Sequence, residues 1–220
     1  MKKVSVIIPA FNEQRSIKKV IKLVKNNANV DEIIVVDNNS TDDTALLAEN
    51  EGAKVVFCKE QGKGYAMEKG LHEAKNETVV FIDADINNYS KDVIEKLAEP
   101  IINDEADFVK SLFERTGGRV TELVAKPLLD ILFPEIYKFS QPLSGMIAGK
   151  KSLLSKIEFE KDYGVDIGIL LDMINMNVAI KEIHIGQIKN HSQQWKNLEK
   201  MSKEVMNAII KRYRLNKNNM

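Results

Sequence analysis

Two aspartates directly follow an apolar run in this chain of 220 residues. Residues 78–82 have the composition of a strand without a polar face, and Asp83 and Asp85 come next with Ala84 between them. In an extended chain, residues two apart point to the same side, so both carboxylates would face one way. Like charges at the dry end of a strand are unfavourable unless a cation lies beside them.

This carboxylate pair predicts a metal site. Hard oxygen ligands suit Mg²⁺ or Mn²⁺, and Mg²⁺ commonly completes its shell with water and substrate phosphates. The pair therefore indicates a divalent cation together with a phosphorylated ligand. The alternative is a solvated loop in which the aspartates cap a helix that begins near Ser90.

A lysine between two glycines is a second candidate for binding phosphate. Gly62 and Gly64 would let the backbone approach a phosphate, a following helix N-terminus favours an anion, and Lys63 adds positive charge. The alternative is a flexible turn with a solvated lysine. The Walker spacing G-x-x-x-x-G-K-[ST] is absent, and no G-x-G-x-x-G follows the first apolar run, which weakens a dinucleotide interpretation.

Strands and helices alternate in the first half of the chain and would position these residues. Four apolar runs predict strands at residues 4–8, 33–37, 54–58 and 78–83. Helices are predicted between them at 13–27, at 41–51 and from Gly64. We expect Pro9 to end the first strand, and Ser40, with Asp43 three residues on, to cap the second helix. This alternation predicts an α/β fold with a mainly parallel central sheet and helices on both faces.

The second half has a more mixed pattern. A helix is predicted from residue 92 up to Pro100, and strands are predicted over 107–115 and 177–188. Residues 117–133 indicate a loop leading into an apolar helix, 141–151 a strand and turn, and 163–174 a buried helix. A last amphipathic helix, about 198–213, has one apolar side that packs on the domain or on a second copy: Met201, Val205, Ala208 and Ile209.

Composition excludes several classes of function. A formal net charge of zero gives no support for a nucleic-acid or anionic-membrane partner. Cys58 is the only cysteine, so an intramolecular disulfide is impossible and a reducing cytosol fits. No segment approaches the ~20 apolar residues of a membrane-spanning helix, and the N-terminal apolar run is too short for a signal peptide. We expect a cytoplasmic protein without a membrane partner.

The motifs together resemble a known family. PAFNE (9–13), VDNNSTDDT (36–44), the 62–64 turn and the D-A-D at 83–85 look like the nucleotide-sugar-binding half of a GT-A fold glycosyltransferase. In the second half, three runs resemble the glucosyl-3-phosphoglycerate synthases: GGRVTELVAKPLLDILFPE (117–135), QPLSG (141–145) and YGVDIG (163–168). Members of that family are retaining enzymes that move glucose from UDP-glucose, or a related donor, onto D-glycerate 3-phosphate.

The resemblance implies a nucleotide-sugar site. Residues that would hold the uracil and ribose are Pro9, Ala10, Glu13 and Ser40. Lys63 would meet the base or its phosphates, and Asp83, with Ala84 after it, would face the ribose. Asp85 would bind the metal, Mg²⁺ or Mn²⁺, that bridges the diphosphate, and His191 would complete the metal shell.

The resemblance also implies an acceptor and sugar site. The acceptor-binding residues would be Gly118, Arg119, Thr121 and Gln193. Leu143 and Asp166 would contact the transferred sugar, and with Arg119 they form the predicted catalytic set. Asp166 lies on the apolar face of its predicted helix, where a charge needs a partner, either a sugar hydroxyl or a structural group such as a backbone N–H. The family pattern has Glu at Asp166 and at Met146, and Asn at Gln193, so the chain departs from it at these positions.

The resulting hypothesis is a metal-dependent hexosyltransferase in one GT-A domain over 1–220. Residues 1–88 would form the nucleotide-sugar half, 89–196 the acceptor half and 197–220 a C-terminal helix. Its partners would be a nucleotide sugar and a phosphorylated small acceptor, with a homodimer as the expected assembly. The alternatives are a glycosyltransferase with another acceptor, such as a lipid phosphate, and a sugar-nucleotide-binding protein without activity.

Overall fold

The computed structural model describes residues 2–86, 88–114, 118–134, 136, 139–188 and 195–218, apart from the side chains of Lys196 and Asn218. The strands are β1 (Val4–Ala10), β2 (Val30–Asp37), β3 (Lys54–Phe57), β4 (Thr78–Phe81), β5 (Phe108–Glu114), β6 (Ile147–Lys150) and β7 (Ile180–Gln187). The helices are α1 (Ile17–Lys25), α2 (Thr44–Asn50), α3 (Lys63–Glu73), α4 (Val93–Ile102), α5 (Lys126–Leu132), α6 (Lys151–Leu154), α7 (Val165–Asn175) and α8 (Trp195–Asn218). A π-helical turn, Thr121–Ala125, precedes α5.

Within these ranges, seven strands form one sheet in the order β3-β2-β1-β4-β6-β5-β7. The pairs β1–β2, β2–β3, β1–β4 and β5–β7 are parallel, whereas β6 runs antiparallel to both β4 and β5. The prediction of an α/β fold with a mainly parallel sheet is therefore confirmed. Because β1, β2, β3 and β4 are parallel, their carboxyl ends lie at one edge of the sheet.

Both faces of the sheet are buried, as continuous apolar strands require. Ile7, Ile34 and Phe81 pack on one face with buried residues of α3, α7 and α8. Ile8 and Val80 pack on the other face with buried residues of α1 and α4. Side chains alternate along each strand, so every strand contributes to both hydrophobic cores.

The apolar side of α8 faces the body of the domain. Val205, Ala208 and Ile209 are buried in the same core as α7, and Met201 packs against them. Of the two interpretations of this apolar side, packing on the domain is therefore the correct one. None of the helices within the described part of the chain is long and apolar enough to cross a membrane.

Two predictions about the first half are wrong. β1 continues through Pro9 to Ala10. The carbonyl of Ile7 accepts the N–H of Ile82 on the β4 side, and Pro9, two residues on, faces that same side just beyond the end of β4. Its missing N–H therefore leaves the pairing with β2 intact. Ser40 does not cap α2 either, because the helix begins at Thr44 and the Ser40 hydroxyl is used elsewhere.

The boundary at Pro100 is also wrong, and the region before α5 differs from the predicted loop. α4 continues past Pro100 to Ile102. The N–H of Lys126 bonds to the carbonyl of Thr121, five residues back, which makes a widened helical turn. Pro127 lies directly after this turn, and its ring would clash with a carbonyl in a regular α-helix. The widened turn relieves that clash.

β4 ends before the two aspartates. The strand stops at Phe81, and Ala84 and Asp85 form a turn, so the alternation of an extended chain does not apply to Asp83 and Asp85. The two carboxylates are nevertheless close enough for Asp83 to raise the pKa of Asp85. The turn, rather than a strand, presents them at the sheet edge.

Candidate active site

Hydrogen bonds join the segments that follow β1 and β2. Asn12 has a positive φ of 58°, which bends the chain after Pro9 and Ala10. Its N–H donates to Ser40 Oγ at 3.0 Å, and its Oδ1 accepts the Thr41 N–H at 2.8 Å. Ser40 is thus fixed beside the end of β1.

Glu13 is held at the same edge. Its N–H donates to Thr44 Oγ1 at 2.7 Å, and its carboxylate accepts the Ser16 hydroxyl at 2.7 Å. The charge of Glu13 also contributes to raising the pKa of Asp85. The end of β1 and the turn after β4 therefore present carboxylates toward one another.

Asn38 fixes the glycine turn, a role that the sequence analysis missed. Its Nδ2 donates to the Glu60 carbonyl at 2.6 Å, and its Oδ1 accepts the Gly62 N–H at 2.8 Å. Gly62 has a φ of 153°, and a Cβ there would lie 2.1 Å from the carbonyl oxygen of Lys161. The turn before α3 is consequently a fixed, close-packed turn. The polar pair Asn38–Asn39 directly after an apolar strand was the available signal.

An ion cluster forms the centre of the site, in which Asp166 is buried and the side chains of Lys63 and Asp83 are partly exposed. The Lys63 ammonium lies 3.0 Å from Asp83 Oδ1 and 2.8 Å from Asp166 Oδ2. Burial lowers the pKa of Lys63, but the carboxylates of Asp166 and Asp83 more than offset this and hold it well above its usual range. Burial raises the pKa of Asp166, which is 2% exposed, and Lys63 opposes that rise. We call Lys63, Asp83 and Asp166 the Lys63 cluster.

Gly145, which the sequence analysis did not single out, makes room for the Lys63 cluster. A Cβ at this position would lie 2.2 Å from the Lys63 ammonium and 2.7 Å from Asp83 Oδ1. A larger residue at this position would therefore displace the ends of the Lys63 and Asp83 side chains. The glycine of the QPLSG motif was visible in the sequence, but its neighbours were not.

The turn with the aspartates has the chemistry of a divalent-cation site. Burial first, and then the charges of Asp83 and Glu13, raise the pKa of Asp85 to about 6. Such crowding of carboxylates favours a cation. The Tyr89 hydroxyl fixes the turn, because it donates to the Asp83 carbonyl and accepts the Asp83 N–H, each at 3.0 Å. Within the described ranges no three His, Cys, Asp or Glu side chains form a metal cluster.

The predicted acceptor residues Gly118, Arg119 and Thr121 lie in the segment before α5. Gly118 has a φ of 93°, and Arg119 after it is exposed, with its guanidinium carbon 5.0 Å from the ring centre of Trp195. Thr121 and Leu143 are buried. In the described part of the chain, no ion pair or hydrogen bond joins Arg119 to the cluster. His191 and Gln193 lie outside the described residues.

The chain is similar to known glycosyltransferases. The family model described as glycosyl transferase family 2 matches residues 5–160. The glucosyl-3-phosphoglycerate synthase of Petrotoga mobilis is 32% identical, over 96% of this chain and 73% of that protein.

Two crystal structures of the glucosyl-3-phosphoglycerate synthase from Mycobacterium tuberculosis are also similar, each with a TM-score of 0.91 and 36% identity over 96% of this chain. One is a complex with Mn²⁺, UDP-glucose and phosphoglyceric acid, and this chain covers 80% of it. The other is a complex with Mg²⁺ and UDP, of which it covers 79%. The likeness confirms the GT-A type of fold.

Proposed function

The chain belongs to the glucosyl-3-phosphoglycerate synthases of glycosyl transferase family 2, and we propose that it transfers glucose from UDP-glucose to D-glycerate 3-phosphate. The product is glucosyl-3-phosphoglycerate, formed with retained configuration. The observation that carries this proposal is the Lys63 cluster, with its buried Asp166, beside the turn that holds Asp85. At one sheet edge this cluster supplies an ion pair for a sugar, and the neighbouring turn supplies carboxylates for a cation.

Asp85, with His191, would hold the divalent metal. The fit rests on the Asp85 carboxylate, whose pKa is raised by burial first and then by the charges of Asp83 and Glu13, a crowding that a cation would offset. When bound, Mg²⁺ or Mn²⁺ would offset the charge that grows on the departing diphosphate. The Asp83 carboxylate is paired with Lys63, so we assign Asp83 to the nucleoside side rather than to the metal.

Asp166 is suited to hold a hydroxyl of the transferred sugar. Its Oδ2 is used by Lys63, whereas its Oδ1 is buried and has no hydrogen-bond partner among the described residues. An unpartnered buried carboxylate oxygen is costly unless a ligand supplies a donor. The Lys63 ammonium also reduces the nucleophilicity of Asp166. We therefore propose attack from the side of the leaving group, with the departing phosphate accepting the proton, and no covalent sugar intermediate.

Arg119 would bind the phosphate of the acceptor. It follows Gly118 at the start of a helical segment, where a guanidinium and free backbone N–H groups converge on an anion. Thr121 and Gln193 would complete this acceptor site, and Leu143 would line the sugar pocket. Positioning of this kind brings the acceptor hydroxyl to the anomeric carbon.

The decisive experiment is a panel of donors and acceptors with purified protein. UDP-glucose, 3-phosphoglycerate and Mg²⁺ should give UDP and a product with the mass of glucosyl-3-phosphoglycerate, and EDTA should stop the reaction. An α-linkage found by NMR would match retention from an α-linked donor. Release of UDP only with a polyprenyl phosphate would favour the alternative acceptor, and tight UDP binding without release would favour a silent binding protein.

Two variants test the assigned roles. Asp85→Ala should lose metal-dependent activity, and full Mg²⁺-dependent activity in this variant would contradict the assignment of Asp85 to the cation. Mass spectrometry of enzyme trapped during turnover should find no sugar on Asp166. A glycosylated Asp166 would replace our proposed route with a covalent one.

We further propose a homodimer and a cytosolic location. Cys58 is buried and is the only cysteine, so the chain needs no oxidising compartment. Light scattering coupled to size exclusion should report twice the mass of 24.9 kDa. A monomer at micromolar concentration would contradict the dimer, and membrane pelleting in cell fractionation would contradict the location.

A further inference from the structure

One lysine lies in the hydrophobic interior and takes no part in the reaction proposed above. Lys110 stands in the middle of β5, in register with Ile147 of β6 and Glu182 of β7, and its exposure is 0%. Alternation along the strand places it on the same side as Phe108, which packs in the core shared with α7 and α8. A lysine is almost never fully buried without partners, because its ammonium loses its hydration.

The partners of Lys110 are backbone carbonyls from two segments that are distant in sequence. Its ammonium donates to the Ser144 carbonyl at 2.7 Å and to the Asp166 carbonyl at 3.2 Å. Ser144 belongs to the loop before β6, and Asp166 belongs to the first turn of α7. The lysine therefore joins two segments that make no regular secondary structure with each other.

Both segments border the Lys63 cluster. Gly145, directly after Ser144, is the residue whose missing Cβ leaves room for the Lys63 ammonium. Leu143, directly before it, is predicted to line the sugar pocket. Asp166 contributes its carboxylate to the cluster while Lys110 holds its carbonyl. A shift of either segment would move a group that faces the transferred sugar.

The next residue of β5 fixes the same loop independently. The hydroxyl oxygens of Ser111 and Ser144 are 2.5 Å apart, and Ser144 Oγ also accepts the Met146 N–H at 3.2 Å. Ser111 is fully buried and Ser144 is 4% exposed. Two successive residues of β5 thus bind the loop at Ser144. Lys110 binds the Ser144 carbonyl, and Ser111 binds the Ser144 hydroxyl.

We propose that Lys110 is a positioning residue for glycosyl transfer. Its ammonium fixes the backbones at Ser144 and Asp166, and thereby fixes Leu143 and the Asp166 carboxylate relative to the sugar. This inference rests on the proposed function. Among the described residues, Lys110 is linked to those that we assign to the nucleotide through the Lys63 cluster. Donor binding should therefore depend on Lys110 far less than turnover does.

The test compares Lys110→Met with Lys151→Met. Lys151 is a matched control, because its ammonium also donates to a backbone carbonyl, that of Ala74, near the opposite edge of the sheet. For Lys110→Met we expect kcat to fall by up to about 100-fold, as misplacement of a reacting group does, with KM for UDP-glucose changed by less than about 3-fold. Lys151→Met should keep kcat within about 2-fold of wild type.

Amide hydrogen exchange supplies a readout that is independent of the acceptor. Exchange in residues 141–146 and 163–168 should accelerate in Lys110→Met and stay unchanged in Lys151→Met. Accelerated exchange without transfer by the wild type would show that Lys110 anchors the two segments, but it would refute the proposed function and with it a role in transfer. Transfer by the wild type, with kcat and exchange unchanged in Lys110→Met, would overturn the positioning role.

A second variant covers the case in which Lys110→Met does not fold. Lys110→Gln keeps N–H donors on a side chain one bond shorter and without the charge, and we expect about a 10-fold loss of kcat with KM again little changed. A wild-type kcat in Lys110→Gln, together with unchanged exchange at 141–146, would equally overturn the proposal.

Discussion

Helix α7 carries an aspartate to each of two cations, a partly buried lysine and a buried arginine, and the two clusters differ in how completely they are satisfied. At the second cation, Arg212 on α8 is 3% exposed and binds both oxygens of Asp172, at 2.9 and 2.7 Å, and Glu160 at 2.6 Å. At the first, Asp166 binds Lys63 through one oxygen and leaves the other without a partner among the described residues.

This difference separates a structural ion pair from a binding site. Arg212 joins α7 to α8 and to the segment before α7, and its planar donors match the carboxylate of Asp172 at two points. Among the described residues, no buried side-chain nitrogen or oxygen of the Arg212 cluster lacks a hydrogen-bond partner. The Lys63 cluster keeps one buried acceptor open beside a glycine and a carboxylate-rich turn. Charge alone therefore does not distinguish the two ends of α7; the unpaired buried oxygen of Asp166 does.

Removing the cation of each cluster should give the largest effects and the clearest difference between the two clusters. Lys63→Met leaves Asp83 and Asp166 without their shared cation, and we expect kcat to fall by about 100- to 1,000-fold. Arg212→Met should keep kcat within about 3-fold and destabilise the fold by about 2 kcal/mol, because Asp172 loses its two-point partner while Glu160 keeps Lys211. Steady-state kinetics and urea unfolding measure the two effects.

The outcome that would break the comparison is a crossed pattern. If Arg212→Met lost activity while it stayed folded at the assay temperature, its cluster would serve the reaction as well. If Lys63→Met lost less than about 10-fold in kcat, the Lys63 cluster would be structural.

The same substitution at the two aspartates gives a finer contrast. Asp166→Asn removes the charge that would hold a sugar hydroxyl, and we expect kcat to fall by about 10- to 100-fold. Asp172→Asn weakens a two-point pair, so unfolding free energy should fall by about 1.5–3 kcal/mol with kcat nearly unchanged. Equal kinetic losses in both variants would show that α7 acts as a unit.

A third cation, Arg119, extends the comparison to the exposed surface. Its guanidinium lies over Trp195, the only tryptophan of the chain. Trp195→Leu removes a cation–π contact of about 0.5–1 kcal/mol, so KM for 3-phosphoglycerate should rise by about 2- to 5-fold with kcat unchanged. Wild-type tryptophan emission should respond to 3-phosphoglycerate, and Arg119→Met should abolish that response. An emission change that persists in Arg119→Met would contradict acceptor binding at this arginine.

The last expected effect is a pH dependence of stability. Burial lowers the pKa of Lys110 from its ordinary 10.5 to about 8, while the charges of Asp166, Lys63, Asp83 and Glu182 act on the same group. Between pH 8 and 10 the unfolded chain binds more protons at this lysine, so the stability of the folded chain rises with pH, by at most about 1.4 kcal/mol per unit.

Lys110→Met isolates this contribution. The unfolding free energy of wild type minus that of Lys110→Met should increase between pH 8 and 10, measured by urea unfolding at each pH. The unfolding free energy of Arg212→Met should rise with pH by the same amount as that of wild type, because the pKa of Arg212 is raised further above this range. A constant difference across pH 8–10 would mean that Lys110 stays charged in the folded chain.

Much of the first half could be predicted from local pattern. Apolar runs bounded by polar residues determine the strands whichever neighbours they have, and so the four polar strand ends at 9–13, 37–43, 59–64 and 83–88 were recognisable. The errors at Pro9, Ser40 and Pro100 concern boundaries. At such positions one hydrogen bond to another segment outweighs local preference, as the Ser40 hydroxyl shows by accepting from Asn12.

The sequence by itself determined the alternation of strands and helices, the family and the residue types available for chemistry. Only the tertiary structure decided which of them meet: Lys63 and Asp166 are 103 positions apart, and β6 enters the sheet antiparallel so that Gly145 lies beside them. The periodicity of apolar residues shows that one face of a segment is buried, but it does not identify the segment that packs against it. The partner of a buried charge depends instead on strand order and register, which form only when the whole chain packs.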